Sequence, residues 1–344
     1  MRIFLLGLLL VGSVFGEPMG LRLPTGNEYL FTGQPEKFYM WVDRTFEGET
    51  TRPWEGGAFG YVRSPIRVGN QVVMTRFHEG IDIAPVKRDA AGNPLDLVKS
   101  IAGGRVVHVS LIAGQSNYGK YVVVEHEWDG SKVVSLYAHL AELTVQVGDV
   151  VRVGSVLGRM GYTGAGLNRT RAHVHLEVGM VMSEDYEGWH KVNIGNVNFH
   201  GNYNGMNIAG VDVAALFLEC RKNPELTFRE FVGSRPMQFK VAVPMTGEVP
   251  SFLKRYPWMK RGEVVGAASW EVGFAATGHA ISFSPSQRRV LGAEVTHVRP
   301  SEIPQRWLTR GLLTGEGRAV HLSAGGRSMI ELMMGDFAPA VQAE

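Results

Sequence analysis

Ala172-His173-Val174-His175-Leu176-Glu177-Val178 alternates between apolar and polar side chains at every step. A period of two is the signature of a strand with His173, His175 and Glu177 on one face and Val174, Leu176 and Val178 on the other. The apolar face predicts a core and the imidazole face a cleft. Same-face neighbours on a strand stand roughly 6.6 Å apart, so one ring can bind a metal while the next reaches a water or substrate beside it.

Two further clusters precede this one. Phe77-His78-Glu79-Gly80-Ile81-Asp82-Ile83 places His78 and Asp82 four residues apart. On a straight strand that is about 13 Å, too far for two ligands of one metal, so the chain must turn or bulge between them, and Gly80 is the residue that permits it. In Leu136-Tyr137-Ala138-His139-Leu140 the alternation puts Tyr137 and His139 on one face. Two histidines and one aspartate leave a fourth zinc position open, the catalytic pattern rather than the structural one. Such a zinc acidifies a bound water and polarises a carbonyl. The clusters hold five candidate side chains, three for ligation and two for proton transfer and oxyanion stabilisation.

The framework around them reads as short strands with tight turns. Tyr121–Trp128 and Ser131–Leu140 flank Asp129-Gly130, a strong two-residue hairpin signal that delivers Tyr137 and His139. Gly103-Gly104 and Gly148-Asp149 mark further bends, and residues 161–171 form a Gly- and Thr-containing loop suited to a cleft rim. The fold class expected is mainly β, an antiparallel sheet or sandwich, followed by a small β-rich or α+β C-terminal region.

With these residues in place, the stretch from about 59 to 179 resembles the catalytic domain of the M23 metallopeptidases, the lysostaphin and LytM-like peptidoglycan endopeptidases. The family's His-x-x-x-Asp matches His78 and Asp82, its Tyr/Ser-x-His matches Tyr137-Ala138-His139, and its His-x-His matches His173-Val174-His175. The spacers Asn117-Tyr118-Gly119-Lys120, Val147-Gly148-Asp149 and Gly158-Arg159-Met160-Gly161-Tyr162-Thr163-Gly164 agree as well. The resemblance implies one zinc ion per chain held by His78, Asp82 and His175, with His139 and His173 as the catalytic pair. It also implies peptide cross-links of peptidoglycan as substrate. Tyr137, Asn117 and Tyr118 are candidate substrate contacts, and Glu177 a candidate for orienting a ligand histidine. The donor set His2Asp suits zinc best.

The ends and the composition set the context. A basic start, an apolar run to Val11 and Val14-Phe15-Gly16 before Glu17 read as a secretory signal over 1–16, so the protein is expected in the periplasm or outside the cell. No later apolar run is long enough to span a bilayer, and stable membrane insertion after processing is not expected. The net charge of +2 leaves no nucleic-acid footprint. The single cysteine, Cys220, excludes an intrachain disulfide framework and reads as a small buried apolar residue.

Residues 17–58, rich in Pro, Gly and aromatics, read as a wrap over an edge of the catalytic sheet, or alternatively as a groove wall with Trp54 at its lip. The peptidase domain is set at 59–182 and a linker or insertion with short helices at 183–235. Asp212 caps a helix from Val213 to about Arg221, and Asn223-Pro224 stops it. An accessory region of 236–344 contains alternating segments at 239–243, 280–283 and 294–298. His108, His126, His279, His297 and His321 lack ligand spacing and read as structural; Glu79 fails the His-Glu-x-x-His pattern, and Arg76 is a candidate contact for a substrate carboxylate but by default a surface residue. Two other classes compete with the enzyme. One is a latent or non-enzymatic relative that regulates other wall hydrolases, against which all five side chains stand. The other is a biotinyl-type carrier, which needs an exposed lysine at a hairpin tip and leaves the histidines unexplained. Nothing in the sequence sets the oligomeric state.

Overall fold

The computed structural model describes residues 18–50 and 53–335. The expected export signal over 1–16 lies outside the described residues. The strands that build the site are β1 (Gly60–Val68), β2 (Gln71–His78), β3 (Ile81–Ile83), β4 (Leu97–Lys99), β5 (Gly104–Ser110), β6 (Tyr121–Trp128) and β7 (Ser131–Ala138). They continue with β8 (Leu140–Leu143), β9 (Val150–Val151), β10 (Val156–Met160), β11 (Val174–Val181) and β12 (Ile208–Gly210). The fold is mainly β, and these strand pairs are antiparallel.

The central sheet runs β9-β5-β6-β7-β11, and the far side of β11 is shared. Its first half pairs with β3, setting His175 opposite Asp82, and its second half pairs with β12, setting Gly179 opposite Gly210. The sheet therefore takes a strand from beyond residue 182. A second sheet, β8-β10-β4, and the β1–β2 hairpin complete the frame. The β6–β7 turn follows from its residues: Asp129 at φ 53° and Gly130 at φ 68° are both left-handed, the conformation of a two-residue hairpin turn. The Asp129 carboxylate also accepts the Arg229 backbone N–H at 2.8 Å.

Packing follows the alternation. Val122, Val124, Tyr137, Val174, Leu176 and Val178 belong to one large apolar core, while Tyr121, Val123, Val134, Leu136 and Ala138 form a smaller cluster. Both faces of the central sheet are thus covered, which is why its strands read as nearly continuous apolar runs.

The N-terminal segment is stitched to the edge of β3. Met40 N–H donates to Asp82 O at 2.8 Å, and Ala84 N–H donates to Phe38 O at 2.9 Å. Asn27, fully buried, donates to Ala84 O at 2.9 Å and Lys37 O at 3.0 Å. An exposed sheet edge is covered in this way. Trp54 stacks on Tyr39 with centroids 6.0 Å apart and does not stand at a groove lip; Met40, Trp41 and Pro53 line a recess beside Asp82 instead.

After β11 come α1 (Tyr186–Asn193), an ordered loop, α2 (Val213–Lys222) and α3 (Phe228–Gly233). The Asp212 carboxylate accepts from Ala215 N–H, and α3 opens with a reciprocal Thr227–Glu230 capping box. The C-terminal region is α+β: β13 (Met237–Pro244), β14 (Ser269–Ala275), β15 (Ala280–Ser286) and β16 (Glu294–Val298) form a sheet in the order β15-β14-β13-β16, with helices α4 (Ser251–Arg255) and α5 (Ala324–Met334). It docks on the central sheet through Tyr256 OH to Lys132 O at 2.9 Å and Trp258 Nε1 to Ser131 Oγ at 3.1 Å. Among the described residues, no helix is long and apolar enough to cross a membrane.

Candidate metal centre

His78 closes β2, and Asp82 stands in the middle of β3, with Glu79-Gly80 making the bend between them. Gly80 is required there by crowding rather than by its backbone angle. A Cβ at this position would lie 2.4 Å from Leu176 O and 3.0 Å from the His175 ring. The bend and the β3–β11 pairing bring His78, Asp82 and His175 together, and all three are buried.

Three atoms converge. His175 Nδ1 lies 2.9 Å from Asp82 Oδ1 and 3.1 Å from His78 Nε2, and His78 Nε2 lies 3.2 Å from Asp82 Oδ1. A tetrahedral ion with bonds near 2.0–2.1 Å sets its ligands about 3.3 Å apart, so the spacing suits zinc. The remaining atoms of each side chain are already engaged. His78 Nδ1 donates to Ala58 O at 2.8 Å, which leaves Nε2 as a lone pair. His175 Nε2 donates to Glu177 Oε1 at 2.8 Å, which also accepts from Tyr118 OH at 2.7 Å. Asp82 Oδ2 accepts from Arg63 Nη2 at 2.6 Å.

The electrostatics make the same demand. Burial opposes a charge on His175, but the Asp82 and Glu177 carboxylates outweigh it and hold the imidazole up to about 10. Burial likewise opposes the Asp82 charge, yet the facing histidines hold its carboxyl well below the usual range. Burial lowers His78. The carboxylates thus draw positive charge onto His175, and in this buried cluster a bound cation could take the place of that proton.

His139 and His173 complete the floor. Their rings are 4.7 Å apart, and His173 Nε2 lies 3.3 Å from Asp82 Oδ1. His139 Nδ1 donates to Thr163 O at 3.0 Å and His173 Nδ1 to Arg171 O at 2.7 Å, so both rings turn Nε2 towards the cleft. Burial, then the neighbouring His173 and His175, hold His139 well below its ordinary value. A cleft of about 640 Å³ opens over the group and is lined by His78, Asp82, His139, His173 and His175.

One expectation is corrected. Tyr137 does not reach the cleft: it pairs with Leu176, is fully buried, and its OH accepts from Ile101 N–H at 2.9 Å and meets Ser135 Oγ at 2.9 Å. Strict alternation fails because β7 ends at Ala138 and His139 is left-handed, with φ 64°, which turns its ring to the opposite face. Asn117 and Tyr118 do line the cleft, although the Tyr118 hydroxyl is committed to Glu177. His126 lies in the core between Gly103 O and Ser135 Oγ, each at 2.7 Å. Cys220 is half-buried against the core.

The sequence reading missed the partners that aim these rings. Arg63 is brought to Asp82 by an irregularity in the β1–β2 register at 61–63, next to Ser64 at φ 57°. The Ala58 and Thr163 carbonyls have no side-chain signature at all. Arg44 and Arg171 line the cleft too, as do His200, Asn204 and Met206 from the loop after α1.

Residues 76–187 match the family model of Peptidase family M23. Among curated proteins, the chain is 30% identical over 122 residues to a lipoprotein NlpD/LppB homolog of Pseudomonas aeruginosa, covering 36% of each chain. It is 39% identical over 75 residues to a protein of Haemophilus influenzae, covering 22% of this chain and 16% of that one. The matches thus span about a third or less of these relatives' lengths. Among solved structures, the catalytic domain of lysostaphin from Staphylococcus simulans is 22% identical, with a TM-score of 0.26, covering 45% of this chain and 86% of that domain.

Proposed function

We propose that this chain, a member of peptidase family M23 through residues 76–187, is an exported zinc endopeptidase that hydrolyses peptide cross-links of peptidoglycan. The observation that carries the reading is the convergence of His78 Nε2, Asp82 Oδ1 and His175 Nδ1 within 2.9–3.2 Å, beside two more imidazoles, His139 and His173, whose Nδ1 atoms are held by main-chain carbonyls. Those three atoms would hold one zinc ion per chain. When bound, zinc supplies an acidified water and a polarised substrate carbonyl.

The chain's own residues do the rest. His139, neutral at pH 7 and oriented by Thr163 O, accepts a proton at Nε2 and returns it to the leaving amine. His173, oriented by Arg171 O, turns Nε2 into the cleft beside it, where an Nε2–H carried from the start would donate to the developing oxyanion. Glu177, held by Tyr118, fixes the His175 tautomer so that Nδ1 faces the metal. The open cleft admits an extended peptide. A regulator of other hydrolases would have no use for this full donor set, which places the latent reading second.

The test is digestion of purified peptidoglycan sacculi, with and without a chelator, read by mass spectrometry. Loss of cross-linked muropeptides that is blocked by the chelator and absent in His139→Ala is the expected result. Cross-links that stay intact with zinc bound would remove the enzymatic reading and leave the binder.

A further inference from the structure

The C-terminal region has no counterpart in the family match, which ends at 187, yet it reaches the cleft. A second cavity of about 690 Å³ lies between the β1–β2 hairpin and residues 306–311. It shares Arg63, Arg76, Glu79 and Asn117 with the cleft over the metal centre, so the two are adjoining parts of one groove. Its outer wall is Arg306, Trp307 and Arg310. Tyr61 OH donates to Arg306 O at 3.1 Å and Gln71 Nε2 to Glu302 Oε2 at 2.8 Å, which fastens this wall to the hairpin that ends in His78.

The groove is unevenly charged. Arg63 is spent on Asp82, and Arg310 stands 3.7 Å from Glu79, the one carboxylate of the second cavity. Arg76 and Arg306 have no acidic partner among the described residues. Arg306 lies 4.2 Å over the Trp307 ring and Arg310 4.8 Å over Phe77, contacts that fix a guanidinium by its face and leave its N–H edge for an anion. Towards the metal, Arg44 loses basicity first through burial and then through the charges of Arg63, Arg171 and Arg76. Arg63 is paired with Asp82, and the like charges of Arg44, Arg171 and Arg76 crowd beside that pair.

We infer that the accessory region completes the substrate groove as a carboxylate-binding subsite built from Arg76, Arg306 and Arg310, and that the substrate is an acidic peptide rather than an uncharged glycine bridge. The inference rests on reading the cleft as a peptide groove. Planar, bidentate recognition of carboxylates is the chemistry arginine serves best.

The test uses the full zinc-loaded chain carrying His139→Ala, so that ligand is not consumed. A soluble stem-type peptide with free carboxylates is titrated calorimetrically against the same peptide with its carboxyls amidated. Amidation, and separately the double change Arg306→Gln with Arg310→Gln, are each expected to weaken binding about tenfold or more. An unchanged thermal midpoint in the double variant excludes misfolding as the cause. Equal affinity for the amidated peptide, an unaffected double variant, or no binding by the parent chain would each overturn the subsite. Failure of the wild-type chain to cleave a peptide that it binds through these arginines would instead sink the proposed reaction and leave the subsite standing.

Discussion

Arg63 Nη2 holds Asp82 Oδ2 at 2.6 Å, while Oδ1 of the same carboxylate faces His78 and His175. One oxygen is tied to the hairpin and the other is left to the metal. Arg63 also donates from Nε to Gly56 O at 2.7 Å, so its fork is fixed at both ends. Arg63→Met is expected to lower zinc affinity about 10–100-fold with the fold intact, the usual cost of losing a partner that orients a ligand. Chelator competition measures it; an unchanged affinity would show that Asp82 needs no such support.

The two roles assigned to histidines separate by metal content. His175→Ala should lose both zinc and turnover. His173→Ala and His139→Ala should keep about one zinc per chain and lose turnover by at least ~100-fold, the scale of general acid–base catalysis. Metal analysis of the purified variants decides this. Zinc lost from His173→Ala would make that residue a ligand.

Gly80→Ala tests the crowding at the bend. The new methyl meets Leu176 O at 2.4 Å and Glu177 Cγ at 2.9 Å, backbone and buried side chain that cannot simply move aside. A loss of about 3 kcal/mol in stability is expected, typical of overpacking a tight site. Weaker zinc binding should accompany it, because the same methyl lies 3.0 Å from the His175 ring. Denaturant melts with and without zinc measure both.

His126 sets a pH dependence remote from the metal. Burial pulls its imidazole from 6.5 down to about 4 in the folded chain. Between those values the unfolded chain binds a proton that the folded chain does not, so stability rises with pH and is lost as pH falls from 6.5 towards 4. A shift of this size amounts to about 3 kcal/mol. The stability difference between wild type and His126→Asn, taken from urea melts, should therefore shrink from pH 7.5 to pH 4. A gap that does not change with pH would falsify the assignment.

What was legible in the chain followed from short-range rules. The β6–β7 hairpin was readable because Asp129-Gly130 names its turn, and β11 because Val174, Leu176 and Val178 alternate with His175 and Glu177. Tyr137 misled because a single left-handed residue, His139, reverses the alternation, and no residue type announces φ 64° outside glycine. β14 was passed over although Trp270, Val272 and Phe274 alternate, because Glu271 and Gly273 dilute its strand propensity. Helix α5 was hidden by Gly325 and Gly326 in its first turn. Gly326 is there because a Cβ would meet Leu312 O at 2.2 Å. Arg63, Ala58 and Thr163 act on the site through long-range contacts or main-chain carbonyls, which no local pattern encodes.

The strand that carries Asp82 is three residues long and is hydrogen-bonded on one side to the His175 strand and on the other to residues 38–40. Residues 59–182 are therefore not a cassette that could be lifted out whole. A transplanted piece would take all five histidine and aspartate side chains with it and still leave this three-residue strand with a bare flank, prone to slip in register or to pair with another molecule.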